Sequence, residues 1–102
     1  MIIYSVTVSV EENITSDWLD WMKTEHIPEV MACGIFTKAQ INRVIARGDS
    51  NNTFAIAYTC KSMKDLHKYQ IKFSAELQQK HIARYGEKAV AFRTIMEVLE
   101  EF

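Results

Sequence analysis

Residues that cross-link, kink or break a chain are scarce in this sequence. Its 102 residues include two cysteines, one proline and three glycines. Cys33 and Cys60 have neither the CxxC spacing of redox motifs nor the spacing of zinc ligands, so neither a disulfide framework nor a metal site is expected. We interpret both as reduced thiols packed in the core of a cytoplasmic protein, because disulfides are rare in that compartment.

Long apolar runs and an excess of one charge are also missing. No apolar run approaches the roughly 20 residues of a membrane-spanning helix, so no membrane is expected as a partner. Lysine and arginine total 12 against 13 acidic residues, without a basic stripe, so nucleic acid is not expected either. The chain starts with alternating apolar and polar residues, which is typical of a strand and not of a signal peptide.

What the sequence does contain is the composition of one globular domain over residues 1–102. Apolar residues make up 48% and charged residues 25% of the chain, which is an ordinary globular balance. The hydrophobic patterning predicts the element order β-α-β-β-α-β. The strands are predicted at Ile2–Val10, 35–46, 54–60 and 89–99, with a turn at 47–53 between the second and third strands.

The segment WLDWMKTEHIPEVMACGIF, residues 18–36, holds both tryptophans and the only proline, and it predicts the first helix. Pro28 has no N–H, and its ring would clash with the carbonyl four residues back. We therefore expect this helix to end or kink at His26–Ile27. A short helical turn over residues 28–33 should follow, with Gly34 as its C-terminal cap.

The second helix is predicted to begin at Ser62, with Asp65 in the place of the capping-box acid, and to end at Gly86. Two histidines, His67 and His81, are expected on its surface. Apolar residues at helical spacing predict the buried face of this helix, namely Leu66, Tyr69, Phe73, Leu77 and Ile82.

This order of elements is that of a ferredoxin-like α+β sandwich, in which two helices cover one face of a four-stranded antiparallel sheet. The two central strands present small, uncharged residues such as Ser5, Thr7 and Ala57 on the open face. A face of that kind suits packing of one sheet on another, so we expect a homodimer through the sheet faces rather than a monomer with a wet, polar face. Ile41, Ile95 and Leu99 could extend this face, depending on register. Arg43 lies on the same strand face as Ile41, and Arg93 on the same strand face as Ile95. We favour ion pairs of these arginines with acids such as Glu97 at the interface over the binding of an anion.

The first helix carries the pattern Trp21-x-x-x-x-His26-x-Pro28, followed by Gly34-x-Phe36, and the last strand carries FR and MEV at residues 92–93 and 96–98. In these features the whole chain resembles the dimeric α/β-barrel superfamily, and within it a mostly bacterial family of unknown function. The resemblance implies a dimer of sheets and often a cavity between each sheet and its helices. Members of the superfamily include monooxygenases, haem-degrading enzymes, isomerase-like proteins and simple ligand binders.

Haem-degrading relatives use an asparagine, a tryptophan and a histidine to hold haem and oxygen. The first strand has no asparagine, and both tryptophans belong to the first helix. This departure gives no place for haem, and no cofactor is expected.

Four residues are the candidates for a site. His26 stands where the helix should break, so its ring could face a cavity and act as a general base. Tyr4 and Tyr58 fall on the helix-facing sides of the two central strands and could line one pocket. Trp21 could border the cavity, and the alternative for each residue is a purely structural role. A metal site at His26 and Glu29 is not expected, because no third ligand is evident.

These observations leave three functional hypotheses open. The leading hypothesis is a small-molecule binder, non-catalytic or regulatory, with a pocket between sheet and helices. The second is a cofactor-independent enzyme, monooxygenase-like or isomerase-like, with His26 as base and Tyr58 or Tyr4 assisting. The third is a protein-interaction module. An enclosed pocket that contains His26 would favour the enzyme, a pocket without an ionisable group the binder, and a fully packed interior the interaction module.

Overall fold

A computed structural model describes residues 1–46 and 52–102 of the chain. Within these residues four antiparallel strands form one sheet, in the order β2-β3-β1-β4. The strands are β1 (Ile2–Val10), β2 (Lys38–Arg43), β3 (Thr53–Cys60) and β4 (Ala89–Glu97). The helices are α1 (Thr15–Trp21), α2 (Ile27–Ala32), α3 (Met63–Lys72) and α4 (Ser74–Tyr85), with a π-helical segment at Met22–His26 and 3₁₀ turns at Glu12–Ile14 and Gly86–Lys88.

The sheet confirms the predicted α+β architecture, with β1 and β3 at its centre. The strict alternation of β1 places Ile2, Tyr4, Val8 and Val10 in the buried core. Strand β2 is shorter at both ends than the predicted 35–46. Residues 47–51 of the predicted turn at 47–53 lie outside the described residues.

The sequence predicted that the first helix ends or kinks at His26–Ile27, and the structure shows that it does not end there but passes from a π-helical segment into α2. Both residues keep right-handed helical backbone angles, and the N–H of Ile27 donates to the carbonyl of Met22, five residues back. This wider π turn immediately precedes Pro28, so the helix relieves the proline clash by widening locally. The short helix α2 then ends as predicted, with Gly34 in a left-handed conformation at φ 78°.

The second helical region begins as predicted, because the Ser62 hydroxyl accepts a hydrogen bond from the backbone N–H of Asp65 at 3.2 Å. Leu66 and Leu77 are buried as expected. The prediction for Ile82 is wrong, because its side chain is 56% exposed. At about 100° per residue, a position five residues after Leu77 lies about 140° around the helix, whereas His81 lies only about 40° away.

The strand register decides which side of β4 faces the helices. Arg93 lies opposite Val6 and Ile95 lies opposite Tyr4, so both belong to the helix-covered side of the sheet. Ile41 and Arg43 belong to the same side, opposite the buried residues Ile56 and Phe54. The predicted place of these two isoleucines and two arginines on the open face is therefore wrong. Their place is taken by Val90, Phe92 and Met96, which are 61%, 63% and 43% exposed and pair with the outward-facing residues of β1.

No helix within residues 1–46 and 52–102 has both the length and the apolar character needed to cross a bilayer.

Candidate functional site

A pocket lies between the helix-covered face of the sheet and the helices above it. Its volume is about 40 Å³, which is room for on the order of three water molecules. The apolar side chains that line it are Val6, Val8, Met22, Val30, Ile56, Leu77 and Ala91, and the polar and aromatic ones are Tyr4, His26, Tyr58, Tyr69, Gln78, His81 and Arg93.

Three of the four predicted site residues come together in this pocket. Tyr4 and Tyr58 are neighbours across the β1–β3 ladder, and both line the pocket with His26. Trp21 does not line the pocket itself. Its indole stacks on the His26 imidazole, with ring centroids 4.7 Å apart and planes 23° from parallel. Trp21 therefore packs against one face of the His26 imidazole.

The tyrosine side of the pocket includes one residue that sequence analysis assigned only to the core. Tyr69, on α3, brings its ring centroid within 5.9 Å of that of Tyr4. Burial, followed by the neighbouring tyrosines, raises the pKa of Tyr58. Burial also raises the pKa of Tyr69, followed by the effect of Tyr4. Both phenols are therefore neutral hydrogen-bond donors at physiological pH.

His26 is a buried histidine with an unused polar atom. Its side chain is 9% exposed, and its Nδ1 is buried without a hydrogen-bond partner among the described residues. The pKa of His26 is lowered to about 4, chiefly by burial and also by the nearby His81, Lys80 and Arg93, against the opposing effect of Glu29. The imidazole is consequently neutral at pH 7. An unpaired buried polar atom is costly, so a pocket ligand or water could satisfy it.

His81 is a second pocket histidine, although the sequence predicted it on the surface. The indole N–H of Trp18 donates to His81 Nε2 at 2.9 Å, so the ring proton of the neutral imidazole sits on Nδ1. Burial lowers the pKa of His81, and the charge of Arg93 lowers it further. The ring centroids of His81 and His26 lie 5.9 Å apart. The four-residue spacing from Leu77 to His81 was the signal that could have placed it inward.

Arg93 supplies the charge of the pocket. It projects from β4 onto the helix-covered side, and its positive charge lowers the pKa of His26, His81 and Tyr69. The described residues that line the pocket include no aspartate or glutamate. Glu29, the acid that opposes the lowering of the His26 pKa, forms an ion pair with Lys80.

Metal ligands do not gather around this pocket. Within residues 1–46 and 52–102 no group of three or more histidine, cysteine, aspartate or glutamate side chains could hold a metal ion. The two imidazoles of His26 and His81 face Arg93, whose charge disfavours a cation beside them.

Solved structures with the same architecture cover nearly the whole chain at low sequence identity. A dimeric ferredoxin-like protein from an uncultured marine organism superposes with a TM-score of 0.75 at 11% identity, over 99% of this chain and 96% of that chain. A candidate antibiotic biosynthesis monooxygenase from Nitrosomonas europaea superposes with a TM-score of 0.69 at 15% identity, over 98% of this chain and 100% of that one. A mutant of MhuD with two manganese protoporphyrin IX molecules per active site has a TM-score of 0.69 at 13% identity, over 100% and 98% of the two chains. At such identities these likenesses establish the fold alone.

Sequence comparison places the chain in a family. No curated protein matches it significantly. The model of the family described as "Domain of unknown function (DUF4286)" matches residues 1–99. These residues include every residue that lines the pocket, on β1, β3 and β4 and on the helices above them. The ferredoxin-like chain described here therefore belongs to the DUF4286 family.

Proposed function

We propose that this protein binds a small molecule in the pocket between its sheet and its helices. One observation carries the proposal: His26 lines this pocket with a buried Nδ1 that has no partner among the described residues. A buried polar atom without a partner costs about 1–3 kcal/mol, which a bound hydrogen-bonding group would recover. Tyr58 and Tyr69 add neutral hydroxyl groups to the same space.

The volume of the pocket limits the size of its ligand. About 40 Å³ is far below the roughly 300–1,000 Å³ of pockets that bury drug-sized molecules. The ligand that fits this conformation has only a few non-hydrogen atoms. At a ceiling of about 1.5 kcal/mol per non-hydrogen atom, four such atoms could not bind more tightly than tens of micromolar. Binding must therefore be measured at high micromolar to millimolar ligand concentrations.

A cofactor-independent enzyme is the second candidate, because His26 does line the pocket. Its imidazole is in the neutral form that a general base requires. However, the pKa of His26 is lowered to about 4, which leaves little driving force for accepting a proton at neutral pH. This weakness is why binding without catalysis is the leading proposal. A fully packed interior would have favoured a protein-interaction module, so that third hypothesis is less well supported. The cytoplasmic location stays a prediction.

Filling the pocket with a larger side chain should weaken ligand binding. The two tryptophans are built-in reporters, because Trp21 stacks on His26 and Trp18 donates to His81. We expect small polar molecules of about three to five non-hydrogen atoms to shift the indole N–H resonances of the wild-type protein, and Ala91→Leu to weaken that binding at least about tenfold. Ala91 lines the pocket, and a leucine there occupies the space that the ligand needs.

The matched control is Val90→Leu, because Val90 is the neighbouring residue on the same strand and faces the open side of the sheet. It should leave ligand binding unchanged. If no molecule in such a set shifts the indole resonances at millimolar concentration, the binding proposal is wrong.

We also propose that two copies pack through the open faces of their sheets. Small residues lie at the centre of this face, including Ser5 and Ala57, which are directly paired in the ladder. Beside them, the exposed side chains of Val90, Phe92 and Met96 form an apolar strip on β4. Contiguous apolar surface of this kind is typical of an interface, and a structural neighbour is itself a dimeric ferredoxin-like protein.

A charge placed in this strip should prevent dimerisation. Phe92→Lys is expected to sediment as a monomer at concentrations where the wild-type protein is a dimer, because a buried, unpaired ammonium is strongly unfavourable. Ile71→Lys is the control, since Ile71 is 83% exposed on α3 and belongs to the helical side of the molecule. Analytical ultracentrifugation of the three proteins tests this. A wild-type monomer, or a dimeric Phe92→Lys protein, would contradict the proposed interface.

A further inference from the structure

We infer that the pocket selects small carboxylates over uncharged molecules of the same shape, and that Arg93 is the residue that determines this selectivity. The inference rests on the proposed function, because it names the ligand class of the same pocket. It goes beyond that function because nothing in the fold or the family requires an anionic ligand.

The first support is the balance of charge around the pocket. Arg93 is the one permanently charged side chain among the described residues that line it, and no lining residue is acidic. Arg93 forms no ion pair within residues 1–46 and 52–102, whereas the nearby Lys80 is paired with Glu29. The guanidinium of Arg93 is therefore available to bind an anion. Two parallel N–H donors of a guanidinium match the two oxygens of a carboxylate.

The second support is the set of neutral donors on the other walls. The hydroxyls of Tyr58 and Tyr69 keep their protons, because burial raises the pKa of both. His26 can donate from Nδ1 in its neutral form, and that atom has no partner among the described residues. These groups can give hydrogen bonds to an anion. None of these three groups carries a negative charge that would repel the anion.

The remaining walls decide which anion fits. The pocket is otherwise lined by aliphatic side chains such as Val8, Ile56 and Leu77, of which Val8 and Ile56 are essentially fully buried. A doubly charged phosphate would lose much of its hydration there with a single cation to compensate. A monoanion with a small apolar group would place its charge at Arg93 and its apolar part on the aliphatic wall. Acetate and propionate, with four and five non-hydrogen atoms, have this form and come nearest to this size.

The test compares each carboxylate with its uncharged amide. Acetate and propionate, and the matching acetamide and propionamide, are titrated at constant ionic strength while the indole N–H resonances are followed. We expect the wild-type protein to bind each carboxylate at least about tenfold more tightly than its amide. Arg93→Gln should remove this preference while amide binding is retained. Arg93→Lys should keep part of the preference, because it keeps the charge and loses the bidentate geometry.

Arg43→Gln is the matched control. Arg43 lies on the same side of the sheet, but on the far edge strand β2, where its guanidinium stands 5.4 Å from the ring centroid of Phe54. Its removal should leave the carboxylate preference unchanged. Phosphate at the same ionic strength should bind no better than the amides.

The outcomes separate the two proposals. If the amides bind as tightly as the carboxylates, or if Arg93→Gln keeps the full preference, the inference is overturned while small-molecule binding stands. An equal loss in Arg43→Gln would overturn it too, by showing a general effect of charge. If neither carboxylates nor amides perturb the indoles, the proposed pocket function fails, and the inference fails with it.

Discussion

Trp18→Ala is expected to lower the free energy of unfolding by about 3–5 kcal/mol, the usual range for truncating a fully buried tryptophan. The Trp18 side chain is 0% exposed, and its ring centroid lies 5.2 Å from that of Phe54 on the central strand β3. The truncation opens a cavity beneath α1. It also removes the indole N–H that donates to His81, so a partly buried imidazole nitrogen loses its partner. Because natural domains are stable by only about 5–15 kcal/mol, a large part of the stability is expected to be lost.

The measurement is urea unfolding followed by far-UV circular dichroism, at one fixed protein concentration because association would add to the apparent stability. Trp18→Phe is the informative second variant. It keeps most of the ring contact with Phe54 but still removes the hydrogen bond to His81, so a loss of about 1–2 kcal/mol is expected. Ile71→Ala, at an exposed position on α3, should change stability by less than about 0.5 kcal/mol. A Trp18→Ala protein as stable as the Ile71→Ala protein would show that α1 is not anchored by this tryptophan.

The second large effect is a loss of stability in mild acid. The pKa of His26 is lowered from 6.5 to about 4 in the folded state, chiefly by burial. Between these two values the unfolded chain binds a proton that the folded chain does not, so stability must fall as the pH falls. The stabilisation is complete above pH 6.5 and is lost progressively down to the folded pKa. The full loss attributable to His26 is about 3 kcal/mol.

Several groups set this behaviour. The imidazole of His81 and the cations Lys80 and Arg93 disfavour the charged form of His26, while Glu29 favours it. The pKa of His81 is lowered as well, so the protonation of His81 also makes stability fall as the pH falls. We expect His26→Gln to flatten much of the slope of stability against pH between 6.5 and 4, and His81→Gln to flatten a smaller part. Urea unfolding at half-unit pH steps gives the slopes, and an NMR titration of the imidazole carbons gives the pKa values directly. A His26 that titrates at or above 6.5 in the folded protein would contradict the buried, neutral state.

Much of the fold follows from local patterns in the sequence. The alternation of Ile2–Val10 predicts the boundaries and the buried face of β1, because side chains in a strand point to opposite sides in turn. Ser62 and Gly34 mark a helix start and a helix end through contacts with backbone groups only a few residues away. The order of six elements then admits few topologies, and the ferredoxin-like arrangement was predicted correctly. The segment from Trp21 to Phe36 also carried the resemblance to the family.

The candidate site was predicted only in part. Tyr4, Tyr58 and His26 were named from strand faces and from the position of the proline, and the structure brings them to one pocket. His81 was missed because the apolar stripe was followed to Ile82, which lies well away from Leu77 around the helix. The widening of the helix before Pro28 was missed as well. A proline clash can be relieved either by a break or by a π turn, and the local sequence favours neither.

What the sequence by itself determined is therefore the order of strands and helical regions and the buried face of β1, since these depend on periods of two and 3.6 residues. What only the tertiary structure decided is the pairing of parts that lie far apart in the chain. Whether Arg93 faces the helices or the open side depends on the register of β4 against β1, and a shift of one residue would exchange the two faces. The hydrogen bond from Trp18 to His81 joins residues 63 positions apart, which no local period encodes. The charge and the second imidazole of the pocket come from those long-range pairings.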